Sequence, residues 1–144
     1  MVQDRPFTQI YITFFSQIKN EWCSMGRILI VDDTMFMRTL LKNILFSGGH
    51  DIVGEAADGA EAVAKYQELK PDLVTMDIVM PKVNGIEALK AIRATDPSAK
   101  VIMCTAVGQE QMVKLAVKSG AKGYIVKPFQ APKVLEEVKN VLSA

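Results

Sequence analysis

Short runs of unbroken apolar residues constrain this chain most: Ile28-Leu29-Ile30-Val31, Leu73-Val74 with Met76 close behind, and Val101-Ile102-Met103-Cys104. A strand with one wet face alternates apolar and polar residues. A run that is apolar at nearly every position is covered on both faces, as in a parallel sheet. Each run is followed by apolar residues at helical spacing. After Val31 the spacing predicts a helix from about Met35 to Phe46. Its apolar face is Phe36, Leu40, Leu41, Ile44 and Leu45, and Gly48-Gly49 stops it. A weaker strand, Asp51 to Ala56, carries Ile52 and Val53. Asp58-Gly59 is turn chemistry, and a helix from Ala60 to Leu69 follows with Val63, Tyr66 and Leu69 inward, ended by Pro71.

The same rhythm continues. Strand 73–77 leads to Asn84-Gly85, which caps a helix over about 86–94 with Ile86, Leu89 and Ile92-Arg93 in register, broken by Asp96-Pro97. Strand 101–105 is followed by a helix from Gln109 to Ser119, stopped at Gly120. The last strand runs from Lys122 to Val126, and the last helix spans 131–142 with Val134, Leu135, Val138, Val141 and Leu142 inward. Five strand–helix units in succession predict an α/β fold: a doubly wound parallel sheet, helices on both faces, right-handed crossovers.

A chain of 144 residues, 49% of them hydrophobic, is enough for one domain with a real core. A formal net charge of +1 with no basic stripe argues against nucleic acid as a partner. No apolar run approaches the roughly 18 residues of a membrane span, and the N-terminus lacks the layout of a signal peptide. Cys23 and Cys104 are far apart, without metal-ligand spacing. Cys104 lies in an apolar run and reads as a buried reduced thiol, which points to a reducing compartment.

Residues 1–24 break the pattern and are read as an N-terminal extension ahead of a domain spanning 25–144. Phe7, Ile10, Tyr11, Phe14, Ile18 and Trp22 fall on helical spacing, although Ile10, Ile12 and Phe14 also alternate as in a strand. Three readings compete: a vector-derived or misassigned upstream segment, since Met25-Gly26-Arg27 looks like a natural start; an amphipathic helix packed on the domain or, through residues 7–22, on a second copy; and a membrane-surface anchor, disfavoured by the few lysines on its polar face.

Chemistry-bearing residues gather at the carboxyl ends of the predicted strands. The first strand ends at Asp32 and Asp33, the third at Asp77, the fourth at Thr105 and the fifth at Lys127. Ligands of open α/β sheets bind outside those ends, where strand order reverses. If the order is 2-1-3-4-5, the reversal lies between strands one and three, and the aspartates would converge there. Carboxylates so placed repel one another unless a cation compensates. Mg²⁺ suits oxygen donors, whereas zinc would want His or Cys and the sole histidine, His50, is elsewhere. Asp33 and Asp77 are the expected metal ligands, with Asp32 acting through water and the peptide carbonyl of Val79 completing the set.

A cation, a lysine and a hydroxyl suit a phosphoryl group. Asp77 is the candidate nucleophile, able to form an aspartyl phosphate. Lys127 would bind a phosphoryl oxygen, Thr105 would hydrogen-bond the same group, and small Ala106 would leave room for it. A sharp turn with a cis Lys127-Pro128 bond is expected to aim the lysine inward. Each residue alone has a blander reading: Asp33 or Thr34 as a helix cap, Lys127 as solvated. Met35, Met37, Met76, Met80, Met103 and Met112 read as core or gate packing. The coincidence of acids, hydroxyl and lysine on one sheet edge outweighs the bland readings.

Ile28 to Asp33, Asp77-Ile78-Val79-Met80-Pro81 with Asn84-Gly85, Thr105-Ala106 and Lys127-Pro128-Phe129 together resemble the receiver domain of two-component response regulators, over about residues 26–143. The resemblance implies a flavodoxin-like fold with order 2-1-3-4-5, for which CheY-type regulators are themselves a standard example. It implies that Asp77 accepts a phosphoryl group from a sensor kinase's phosphohistidine with Mg²⁺. Asp32 and Asp33 would form the acidic pocket. Thr105 would be the switch hydroxyl, and Tyr124 the switch aromatic that turns inward when Thr105 moves. The output surface would be the fourth helix, fifth strand and fifth helix.

Phe36-Met37-Arg38 and Val126-Lys127-Pro128-Phe129-Gln130 make the chain look most like a stand-alone, cytoplasmic CheY-like chemotaxis regulator. Its implied partners are a CheA-like histidine kinase, a flagellar motor switch or other output protein, and a phosphatase. The rivals are a phosphorelay intermediate, a pseudo-receiver that only binds partners, and an Asp-nucleophile phosphatase of the haloacid dehalogenase type. The last needs a second acid where Val79 stands.

Overall fold

The computed structural model describes residues 25–144. The expectations for Phe7 to Trp22, including a dimer through residues 7–22, lie outside the described residues. Five strands, β1 (Arg27–Val31), β2 (Asp51–Ala56), β3 (Leu73–Asp77), β4 (Val101–Ala106) and β5 (Gly123–Lys127), form one parallel sheet in the order β2-β1-β3-β4-β5. Between and after them come α1 (Met35–Ser47), α2 (Gly59–Leu69), α3 (Gly85–Thr95), α4 (Glu110–Lys118) and α5 (Ala131–Ser143). The expected doubly wound architecture and order are those observed. Element ends differ by a residue or two: α4 is shorter than the Gln109–Ser119 expectation, and β5 starts at Gly123 rather than Lys122.

The unbroken apolar runs have the cause inferred from them. Leu29, Val31, Val74, Met76, Val101 and Met103 pack on one face with Ala62 and Tyr66 of α2, Leu89 and Ile92 of α3 and Ala116 of α4. Ile28, Ile30, Leu73, Ile102, Cys104 and Ile125 pack on the other with Leu41 and Leu45 of α1 and Val134, Val138 and Val141 of α5. Successive residues of one strand feed opposite layers. The weaker β2 carries a register irregularity opposite Ile28 and Leu29, whose partners are Ile52 and Gly54.

Two packing expectations need correction. Phe36 is 76% exposed and Leu40 is also exposed, so neither belongs to the inward face of α1. The inward row is Leu41 and Leu45, helped by Ile44. Met35 is likewise exposed rather than packed, whereas Met76, Met80 and Met103 are buried and Met112 packs against the core. Cys104 is buried as expected, and burial pushes its thiol up to about 12, so it is inert as a nucleophile near neutral pH.

The sole histidine serves the fold at the opposite end of β1 from the acids. Buried His50 accepts the Gly26 N–H on Nδ1 at 3.1 Å. Burial holds its pKa below the ordinary 6.5. An unfolded chain therefore takes up a proton near pH 6.5 that the folded chain resists, and stability falls as pH drops through that value towards the lower folded one. Chemical denaturation at pH 7, 6 and 5 should show this decline in the wild type. His50→Gln, which keeps an acceptor for Gly26, should be less stable at pH 7 yet lose most of the pH dependence.

Candidate functional site

The strand order carries three acids to one place. β1 and β3 are neighbours, pairing Val31 with Met76, so Asp32 and Asp77 emerge side by side at their carboxyl ends. One carboxylate oxygen from each of Asp32, Asp33 and Asp77 lies within 4.8 Å of the other two. Asp32 and Asp77 are buried, at 4% and 8% exposure, while Asp33 faces solvent.

Asp32 is held by the turn that starts α1. Its Oδ1 accepts the Thr34 N–H at 2.9 Å and the Thr34 hydroxyl at 3.0 Å. Thr34 stands at the helix N-cap, but neither it nor Asp33 caps the helix with a side chain. Lys127, at the end of β5, reaches across the sheet edge. Its ammonium donates to Asp32 Oδ2 at 2.8 Å and to Asp77 Oδ2 at 3.2 Å. The Lys127–Pro128 peptide bond is cis, as the sequence led us to expect.

One lysine does not neutralise three acids. Burial raises the Asp77 pKa above the ordinary carboxylate value; Lys127 opposes this and the charges of Asp32 and Asp33 add to it. Burial alone would depress the Lys127 pKa, but the Asp32 hydrogen bond and the charges of Asp77 and Asp32 win, and it is raised. The Lys127 shift reports the negative charge around the ammonium, whereas the Asp77 shift comes first from its burial. Three hard oxygen donors in contact range with a net negative surplus fit a divalent cation of the Mg²⁺ type.

Thr105 is buried on β4, the strand next to β3. Its hydroxyl donates to Gln109 Oε1 at 2.9 Å, and the same oxygen accepts the Ala106 N–H at 2.9 Å. Tyr124 on β5 is 51% exposed and so faces outward. Val79 is 59% exposed in the turn after β3. That turn is fixed from below, because the Gly85 N–H at the start of α3 donates to the Ile78 carbonyl at 2.8 Å.

Two residues with a part in this arrangement carry no label in the sequence. Gln109 holds the Thr105 hydroxyl, a pairing whose only trace is a spacing of four residues. Arg38 donates to the backbone carbonyl of Asp32 at 2.7 Å and approaches Glu55 Oε1 at 3.3 Å. Neither spacing distinguishes a contact from coincidence before the turns are built.

A family model described as the response regulator receiver domain matches residues 28–139. The chemotaxis protein CheY of Thermotoga maritima is 56% identical over 80% of this chain and 96% of its own length. CheY of Listeria monocytogenes is 59% identical over 81% of this chain and 98% of its own length. Among solved structures, that of a CheX–CheY–BeF3–Mg²⁺ complex from Borrelia burgdorferi superimposes with a TM-score of 0.77 and 47% identity, covering 80% of this chain and 87% of the matched one.

Proposed function

The chain belongs to the response regulator receiver family, and on that premise we propose that it is a phosphorylation-activated chemotaxis regulator whose phosphoryl acceptor is Asp77. The observation that carries this reading is the convergence of Asp32, Asp33 and Asp77 within 4.8 Å beneath a lysine shared by two of them. The CheY relatives and the Mg²⁺-bearing complex among the structural neighbours support it.

In this reading an Asp77 carboxylate oxygen attacks the phosphorus of a kinase phosphohistidine. An O–P bond forms, the P–N bond breaks, and the imidazole leaves. Asp33, Asp77 and the Val79 carbonyl, with Asp32 acting through water, would hold a Mg²⁺ ion, which would supply charge neutralisation for the transferring group. Lys127 then follows the charge from the carboxylate to a phosphoryl oxygen. The added group carries roughly −1.5 to −2 charge at neutral pH. It offers Thr105 stronger acceptors than Gln109 does. As Thr105 changes partner, Tyr124 turns inward, and the α4–β5–α5 face, where Tyr124 and Val126 are exposed, shifts between two populations. A histidine kinase, an output protein bound at that face and a phosphatase are the expected partners, and a cytoplasmic location goes with them.

The test is incorporation of phosphate from acetyl phosphate. Mg²⁺ should give near-stoichiometric acid-stable, base-labile labelling, and excess EDTA should reduce it to background. Labelling undiminished by EDTA would contradict the role given to the three acids.

A further inference from the structure

The two flanking acids are held in unequal ways. Asp32 is fixed by three hydrogen bonds, from the Thr34 N–H, the Thr34 hydroxyl and Lys127. The Asp33 carboxylate has no hydrogen bond or ion pair among the described residues, yet it belongs to the same cluster. With no such partner on the side chain, only the backbone limits where the carboxylate can be presented. The peptide joining Asp32 to Asp33 is planar, so gripping its carbonyl oxygen also fixes the plane of the Asp33 nitrogen.

Arg38 supplies that grip. From the first turn of α1 its Nη1 donates to the Asp32 carbonyl at 2.7 Å, a short charge-assisted bond. Nε of the same guanidinium lies 3.3 Å from Glu55 Oε1 on β2, and Lys42 approaches the other Glu55 oxygen at 3.6 Å. The Glu55 backbone carbonyl in turn accepts from Lys65 of α2. The Arg38 side chain is mostly buried, at 17% exposure, so its cation is spent on this bracing rather than on solvent. Glu55 also compensates a positive charge that would otherwise stand beside a cation site.

We propose that Arg38 is a positioning residue: by holding the Asp32 carbonyl it fixes the peptide from which Asp33 presents its carboxylate to a divalent cation. The role rests on the metal reading above and goes beyond it by naming a residue that touches neither the cation nor the phosphoryl group. Groups that orient metal ligands typically change affinity by about 10- to 100-fold when removed.

Mg²⁺ titration by calorimetry, on the full chain without a phosphodonor, tests it. Arg38→Ala should raise the Mg²⁺ Kd by about 10-fold or more. Arg38→Lys keeps the charge but lacks the planar fork, and it should raise the Kd by a smaller factor. In acetyl phosphate labelling, the Mg²⁺ concentration for half-maximal rate should rise in both variants while the rate at saturating Mg²⁺ stays near wild type. A purely structural role would instead lower the unfolding midpoint and leave the Kd alone. A Kd unchanged or tighter in both variants overturns the proposal for Arg38 only. A wild-type chain that binds no Mg²⁺ overturns this proposal together with the metal reading.

Discussion

Asp77→Asn should abolish phosphate incorporation from acetyl phosphate in Mg²⁺, reducing near-stoichiometric labelling to background. The amide has a similar shape, but its oxygen is a far weaker nucleophile and cannot give an acyl phosphate. The loss should not be accompanied by unfolding. Asp77 is one of three clustered carboxylates, two of which share Lys127, and Lys127 has its 2.8 Å bond to Asp32 to keep when Asp77 becomes neutral. Removing one of three mutually repelling charges relieves the cluster, so the unfolding midpoint of the variant should equal or exceed that of the wild type. Thermal unfolding run beside the labelling assay separates the two effects. A variant that loses labelling because it unfolds would weaken the assignment of Asp77 as nucleophile.

Gly85→Ala should have the largest effect on stability of any single methyl added near the site. Gly85 opens α3, and a Cβ placed there overlaps the backbone carbonyl of Asp77 and crowds the Ile78 backbone. A backbone carbonyl at the end of a central strand cannot swing aside as a side-chain tip can. The Gly85 N–H bond to the Ile78 carbonyl at 2.8 Å ties the same two segments together. Either α3 moves off the sheet, losing contacts of fully buried Leu89 and Ile92, or the end of β3 shifts and carries Asp77 with it. Overpacking of this kind costs about 1–3 kcal/mol or more. In a domain of this size that corresponds to a midpoint lower by roughly 5–15 °C, which differential scanning calorimetry would resolve. Labelling of the surviving folded fraction should also slow, because the acceptor is displaced.

Much of the site was legible because strand ends are legible. Unbroken apolar runs marked strands covered on both faces, and the residue after each run had to sit at the same sheet edge. The edge positions of Asp32, Asp33, Asp77 and Thr105 followed from that fact and Lys127 from the end of the last predicted strand, while the meeting of the acids needed the strand order that the resemblance implied. The first helix was harder. Positions 36 and 40 form one apolar row, and 41 and 45 form another about 140 degrees around the helix. Both rows are hydrophobic, and only the packing of α1 on β1 and α5 decides that Leu41 and Leu45 go in while Phe36 and Leu40 stay out. Arg38 and Gln109 were illegible for a different reason. Their partners are the Asp32 carbonyl and the Thr105 hydroxyl, and a backbone carbonyl leaves no mark in the sequence.

The same limit applies to the switch. The resemblance to receiver domains implies Thr105 and Tyr124 as a switch pair but does not say which arrangement the chain holds. Here Thr105 is bound to Gln109 and Tyr124 is exposed, the arrangement from which the proposed switch would draw the pair inward. The two arrangements differ in whether the Thr105 hydroxyl prefers the neutral amide oxygen of Gln109 or a charged phosphoryl oxygen. Charge-assisted bonds are roughly twice as strong as neutral ones, so the preference has the sign a switch requires.

The central claim is that Asp77 carries the phosphoryl group, and reductive trapping tests it most directly. The chain is phosphorylated with acetyl phosphate in Mg²⁺ and treated with borohydride, which reduces an aspartyl phosphate to homoserine, and its peptides are then sequenced by mass spectrometry. Homoserine at position 77 and at neither Asp32 nor Asp33 is the predicted result. Homoserine at position 32 or 33, or unreduced aspartate at 77 in protein shown to be labelled, would contradict it.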